Sequence, residues 1–287
     1  MGKFILSNNL IFQNKKVVIL HVNLLPELKK INYATKEIIK FINKYKKNYT
    51  FFIPTFTNRY FYRSGKLNFF HKKIKCTNGY FANYLVNSQM GLRSNHPTHS
   101  YYFIGNEAKR FCRLSNINDG PFEIINKIGI ENISFLNINS KKLPTFHLAE
   151  NILGYSKSIL VKFMGSFYKN KEKKILWCNL KYLNGCDRKY NLLANRYIKS
   201  KQYNLKKCSN SVIYFGNLLN IFQKDLKFME RNREFFNCKK CFYCKFIHEK
   251  NKIKVIFNIF KNYNLFFSIL KNVVIARKEI KNYYFKN

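Results

Sequence analysis

The chain has 287 residues, with 53 Lys or Arg against 14 Asp or Glu, a formal charge of +39. Hydrophobic residues make up 46% and aromatics 17%, which excludes a disordered polycation and is enough to build one large core or two small ones. No cleavable signal peptide and no apolar run long enough to span a bilayer are visible, so a cytoplasmic protein with reduced cysteines is expected.

The predicted elements begin with residues 16–22 (Lys-Val-Val-Ile-Leu-His-Val), a short β-branched run that reads as a buried parallel strand. Apolar positions then recur at helical spacing over 32–47, and Tyr49–Ile53 reads as a second strand closed by Pro54, so the three together form a βαβ unit. Residues 54–79 read as irregular. A helix is predicted over 80–90 with Gly91 as its C-terminal cap, a strand over 101–104 ending at Gly105, and a short helix over 106–114. Asp119-Gly120-Pro121 reads as a turn, with Pro121 in the first turn of a helix running to Lys127. A buried strand follows over 132–138, and residues 145 to about 153 read as a helix. Beyond residue 160 the pattern weakens: strands over 175–183 and 212–222, a helix over 222–236 and a C-terminal helix over 272–284 are expected. No repeat and no linker is visible, so we read one domain, 1–287, an α/β layered fold with a central mixed sheet flanked by helices.

Two segments concentrate chemistry. Arg93-Ser-Asn-His-Pro-Thr-His-Ser100 and Thr145-Phe-His-Leu-Ala-Glu150 hold three of the six histidines and one of the few carboxylates. If 145–150 is helical, His147 and Glu150 share a face, and the carboxylate can orient the imidazole and raise its basicity. In an open α/β sheet ligands sit beyond the carboxyl ends of the strands, where His21, Pro54–Thr57 and the loop before His147 all fall.

These residues resemble the aminoglycoside 3-N-acetyltransferase-like family, the antibiotic N-acetyltransferases, whose fold is not that of the GNAT acetyltransferases. The resemblance is carried, in order, by His21-Val22-Asn23-Leu24, Pro54-Thr55-Phe56-Thr57, Gly91 to Ser100, Ile104-Gly105 with Ala108, Gly120-Pro121-Phe122-Glu123 and Thr145 to Glu150. It covers roughly residues 16–155 and leaves 156–287 without a motif. Asn23 stands where the family has a small hydroxyl residue, and Asn137-Ile138-Asn139 stands where it has a glycine. The resemblance implies transfer of an acetyl group from acetyl-CoA to a primary amine of an amino sugar or aminoglycoside-like acceptor. His147 would be the general base, Glu150 its partner or an amine ligand, and His99 a further catalytic candidate. The cofactor side would be formed by His21, Asn23, Leu24, Thr55, Thr57, Arg93, Ser94, His96 and Ser100, hydroxyls, Arg and turn amides being what phosphates bind. Homodimers are common in the family, so a homodimer is a further expectation.

Two other readings bear on function. The charge is that of an RNA-binding or ribonucleoprotein component without catalysis, or of a protein that binds polyanions non-specifically. Its spread from Lys15 to Lys281, and the enrichment in residues encoded by A/T-rich codons, read instead as compositional background. Cys238, Cys241 and Cys244 with His248 have the residue types of a zinc site, but no second Cys or His pair matches them, so no metal is expected and they read as free thiols.

Overall fold

The computed structural model describes residues 16–24, 28–57, 69–154, 165–169, 175–179, 181, 187–200, 203–208, 211–232, 252–261 and 266. In chain order the elements are β1 (Val17–Val22), α1 (Leu28–Tyr45), β2 (Thr50–Pro54), β3 (Phe69–Phe70), α2 (Tyr80–Ser88), β4 (Leu92–Arg93), β5 (Tyr101–Gly105), α3 (Ala108–Leu114), α4 (Glu123–Ile128), β6 (Ile133–Ile138), α5 (Thr145–Ile152), β7 (Gly165–Lys169), β8 (Ile175–Asn179), α6 (Asp187–Lys199), β9 (Asn204–Cys208), β10 (Ser211–Asn217), α7 (Leu218–Arg231) and α8 (Lys252–Lys261).

Seven strands form one mixed sheet in the order β4-β5-β2-β1-β6-β10-β9. The centre, β2-β1-β6, is parallel, and the outer strands are antiparallel to their neighbours. A three-stranded sheet, β3-β7-β8, stands apart.

The central strands are continuous apolar runs because both their faces are covered. Along β1, Val17 and Ile19 point into one core while Val18 and Leu20 point into the other; Phe52 opposes Phe51 and Ile53 on β2, and Phe135 opposes Leu136 on β6. On one side α1 and α2 bring Ile38, Ile42, Phe81 and Leu85; on the other α3 to α7 bring Phe111, Ile125, Phe146, Leu193 and Leu218. Each fully buried Phe, Ile or Leu contributes about 1.5–3 kcal/mol relative to exposure. The expected α/β layering with a mixed central sheet is what the chain adopts.

Several boundaries differ from expectation for local reasons. Gly91 is not the cap of α2. That position is Gln89, left-handed at φ 55°, whereas a Cβ on Gly91 would stand 2.2 Å from the carbonyl oxygen of Phe103, so Gly91 is required for close approach to β5. The helix expected from Pro121 starts at Glu123, whose Oε2 accepts from the Gly120 amide at 2.7 Å. The strand expected over 212–222 ends at Asn217, whose side chain accepts from the amides of Leu219 and Asn220 and starts α7; that helix accordingly ends at Arg231 rather than 236. Of the strand expected over 175–183 the described part is β8, Ile175–Asn179, the rest apart from 181 lying outside the described residues, and 54–79 contains β3. The helix expected over 272–284 and the Cys238–Cys244 segment lie outside the described residues. The strands β7 and β9 and the helices α6 and α8 had no counterpart in the sequence reading. No helix among the described residues is long and apolar enough to cross a membrane.

Candidate active site

Because β1, β2 and β6 run in parallel, their carboxyl ends deliver His21, Pro54 and Ile138 to one edge of the sheet. A cleft of about 360 Å³ opens there. Its apolar floor includes Leu20, Ile53, Pro54 and Phe81, and its polar rim includes His21, Asn23, Asn78, Ser140 and Lys142. His21 and Asn137, register partners on β1 and β6, both donate to the Lys142 carbonyl, at 2.7 and 2.8 Å, and so pin the loop that leads to α5. Burial lowers the His21 pKa to about 4, leaving the ring neutral with its proton on Nδ1. Its Nε2 is buried with no hydrogen-bond partner among the described residues.

On α5 the His147–Glu150 pair forms as the i, i+3 spacing requires. Nδ1 of His147 and Oε2 of Glu150 are 2.7 Å apart, with the imidazole 15% and the carboxylate 1% exposed. Phe122 stacks on His147 at 5.7 Å and 16°, and Phe146 packs edge-on at 5.4 Å. The Glu150 carboxylate accepts from His147 Nδ1–H, which fixes the tautomer and leaves Nε2 as the acceptor. His99 faces the same Phe122 ring at 6.3 Å and Phe56 at 4.8 Å. Burial first, then the neighbouring His96 and His147, hold it well below the usual histidine range.

The Arg93–Ser100 loop is knitted to its own framework. The Arg93 guanidinium, buried, donates through Nε to Ser100 Oγ at 2.9 Å, through Nη2 to Thr55 O at 2.7 Å, and through Nη1 to Lys72 O at 3.1 Å and Ile74 O at 2.5 Å. Burial lowers its pKa to about 10, so it stays charged. Thr55 donates to Ser100 O and Thr57 to Pro97 O, while Ser94 Oγ accepts from the Tyr101 amide. His96 donates through Nε2 to Asp119 O at 3.0 Å and accepts the His99 amide at Nδ1 at 2.9 Å. The cofactor-side candidates therefore divide. His21 and Asn23 line the cleft, with Leu24 packed beneath in the apolar core on that side of the sheet. Arg93, Thr55, Thr57, Ser94, His96 and Ser100 direct their polar groups into the wall.

One participant had not been singled out. Asp225 on α7 is 1% exposed and accepts from Tyr197 Oη of α6 at 2.5 Å. Burial pushes its carboxyl up to about 7, against the opposing influence of Thr145, Tyr197 and His147. The available signal was positional, since Leu218, Ile221, Asp225 and Met229 form the buried stripe of an amphipathic helix. An acid on such a stripe is buried, unlike the acids of a solvated face. Among the described residues no group of three His, Cys, Asp or Glu is placed to hold a metal.

The model of the aminoglycoside 3-N-acetyltransferase family matches residues 40–227, well over half of the chain. No curated protein matches. Among solved structures, the YokD protein from Bacillus subtilis is similar with a TM-score of 0.63 and 16% identity, over 75% of this chain and 92% of that one. A histidine-to-alanine mutant of aminoglycoside acetyltransferase AAC(3)-IVa, in complex with apramycin, gives 0.60 and 14%, over 79% and 90%. AAC-IIIb, in a binary complex with CoASH, gives 0.57 and 12%, over 76% and 91%. At these identities the likeness is one of fold.

Proposed function

The chain belongs to the aminoglycoside 3-N-acetyltransferase family, and from that premise we propose that it transfers an acetyl group from acetyl-CoA to a primary amine of an amino sugar or aminoglycoside-like acceptor, with His147 as general base and Glu150 as its partner. The observation that carries the reading is the 2.7 Å contact between His147 Nδ1 and the buried Oε2 of Glu150.

The cleft suits the pantetheine arm of CoA, an alternation of methylenes and amides. Its floor is apolar and its rim carries side-chain polar groups, and the buried, unpartnered Nε2 of His21 is an acceptor matched to an amide N–H. His21, Asn23 and Leu24 would hold that arm. Arg93, Thr55, Thr57, Ser94, His96 and Ser100 would keep the intervening wall rigid. When bound, acetyl-CoA supplies an acyl carbon with a thiolate leaving group. The protein's part is proton handling. An ammonium cannot attack, so His147, its Nδ1 proton held by Glu150, receives the amine proton at Nε2 and returns one to the departing sulfur. The amine nitrogen gains its bond to the acyl carbon as the carbon–sulfur bond breaks. His99, kept neutral by burial, closes the site beside His147 without adding charge.

The test is thiol release from acetyl-CoA with a panel of amines. His147→Ala should lower kcat by about 10²–10⁴-fold, the usual worth of a general base, with the fold intact by circular dichroism. Wild-type turnover in both His147→Ala and Glu150→Ala would sink the site assignment.

A further inference from the structure

One buried acid lies outside the His147–Glu150 pair. Asp225 sits on the inner stripe of α7, 1% exposed, among Leu218, Ile221 and Met229. An acid there gives up its hydration and has to be answered from within the protein. From α6, the Tyr197 hydroxyl donates to Oδ1 at 2.5 Å, the length of a bond to an ionised carboxylate. Burial first, and then Asp225, push the Tyr197 pKa up, so the phenol keeps its proton and stays a donor. α7 also packs against α5, which brings Thr145 and His147 within reach of the same carboxyl.

Thr145 opens α5 and is fully buried. Pro144 before it gives no side-chain cap, and the first turn of α5 carries no acid of its own. Negative charge is favoured at a helix N-terminus, and α7 supplies it there from another element. Thr145 Oγ1 lies near enough to help hold the Asp225 carboxyl down, without completing a hydrogen bond to it. His147, two residues on, acts on that carboxyl in the same direction. The influence is reciprocal, so an ionised Asp225 favours the imidazolium. The other groups around the two are Glu150 and His99, which face His147, and Tyr203 and Arg196, which adjoin the Tyr197 phenol.

We propose that Asp225, held by Tyr197, is a positioning residue for His147, a second carboxylate that strengthens the readiness of the imidazole to take a proton. It touches neither substrate nor the reacting atoms and acts through the ring. The reaction that this serves rests on the acetyl-transfer reading; the coupling of the two side chains does not. When an amine gives its proton to Nε2, positive charge appears on the ring, and Asp225 adds its charge to that of Glu150. Its carboxyl, pushed up to about 7 by burial, is mostly ionised at pH 8, so the support is present on the alkaline side of neutrality.

The experiment follows the His147 imidazole by NMR across pH 5–9 in the full chain, its resonance assigned by loss in His147→Gln. Asp225→Asn keeps an acceptor for Tyr197 and removes the charge. The imidazole pKa should fall by about half a unit, less than the roughly 1–3 units of a fully ionised close neighbour, since Asp225 is partly protonated in that range. Tyr197→Phe takes a donor from the carboxylate, favours its neutral form, and should lower the imidazole pKa in the same direction by less. With an amine acceptor, the acid limb of the kcat/KM profile of Asp225→Asn should move to lower pH by the same amount, with KM for acetyl-CoA unchanged. An imidazole that titrates in Asp225→Asn as it does in the wild type, or at higher pH, overturns the proposal and leaves Asp225 a structural residue. A fall in the imidazole pKa with no thiol release from acetyl-CoA for any amine upholds the coupling and removes the acetyl-transfer reading.

Discussion

Glu150 Oε2 accepts from His147 Nδ1 at 2.7 Å, so the carboxylate fixes the orientation of the ring. Glu150→Gln keeps the shape and removes the charge. An imidazole without a carboxylate neighbour is a weaker base, so the acid limb of the kcat/KM profile should move to lower pH while the plateau falls about 10- to 100-fold. A profile that keeps its limb and loses only amplitude would show that Glu150 serves the acceptor and not the imidazole. Arg93 makes a different point. It reads from sequence as a phosphate ligand, and arginine in a turn supports that reading, but the guanidinium ties the Arg93–Ser100 loop to Thr55, Lys72 and Ile74. Arg93→Ala leaves the buried Thr55 carbonyl and the part-buried Lys72 and Ile74 carbonyls without this donor and should cost about 1–3 kcal/mol or more in urea unfolding, a penalty of structure and not of catalysis.

The pH dependence of stability comes from buried groups on several elements. Asp225 of α7 has its carboxyl raised from the ordinary value of 3.8 to about 7. Between those values the folded chain holds a proton that the unfolded chain gives up, so this residue lowers stability progressively as pH rises from about 4 to 7. His21 works the other way. With a pKa lowered to about 4, its neutral burial favours folding fully above pH 6.5, and that contribution is lost as pH falls from 6.5 to 4. His96 and His99 share its direction. The opposed slopes overlap, so Asp225→Asn should be stabilised at pH 8 by on the order of a few kcal/mol and should lose stability more steeply than wild type between pH 6.5 and 4. Urea midpoints measured across pH 4–8 check this; parallel curves for the two proteins would refute it. Legibility followed the same division of elements. The strands β1, β2 and β6 stood out because strands buried on both faces are unbroken apolar runs. The edge strand β9, Asn-Leu-Lys-Lys-Cys, carries two lysines and an exposed Leu205, so its sequence has no buried face to announce it. The α7 boundary was missed because Leu218–Phe222 continues the apolar run of β10, and only the Asn217 cap separates them. His147 and Glu150 were legible because helical spacing alone pairs them. The Asp225–Tyr197 contact joins two helices and has no local signature.

A charge of +39 acts on the molecule as a whole. The ion pairs Lys40–Glu37 and Arg110–Glu107 are exposed i, i+3 contacts of small worth, and with 53 basic residues against 14 acidic ones most cations have no carboxylate to answer them. Folding gathers these like charges into a smaller volume, and self-repulsion opposes the compact state. The Debye length falls from about 30 Å at 0.01 M salt to about 3 Å at 1 M, so screening should relieve the repulsion. The melting temperature should therefore rise by several degrees as sodium chloride is increased from about 0.01 to 0.5 M, and a similar rise with sodium fluoride would exclude specific chloride binding. Positive charge of this size attracts polyanions in general, and a protein built for RNA would bind with affinity falling steeply in salt and with cations gathered on one face. Here lysines occur along the whole sequence, so RNA affinity at about 150 mM salt should be weak and non-specific. A melting temperature that is flat or falls with salt, together with tight RNA binding at that ionic strength, would mean that the positive charge is an organised binding surface and not a diffuse burden on the fold.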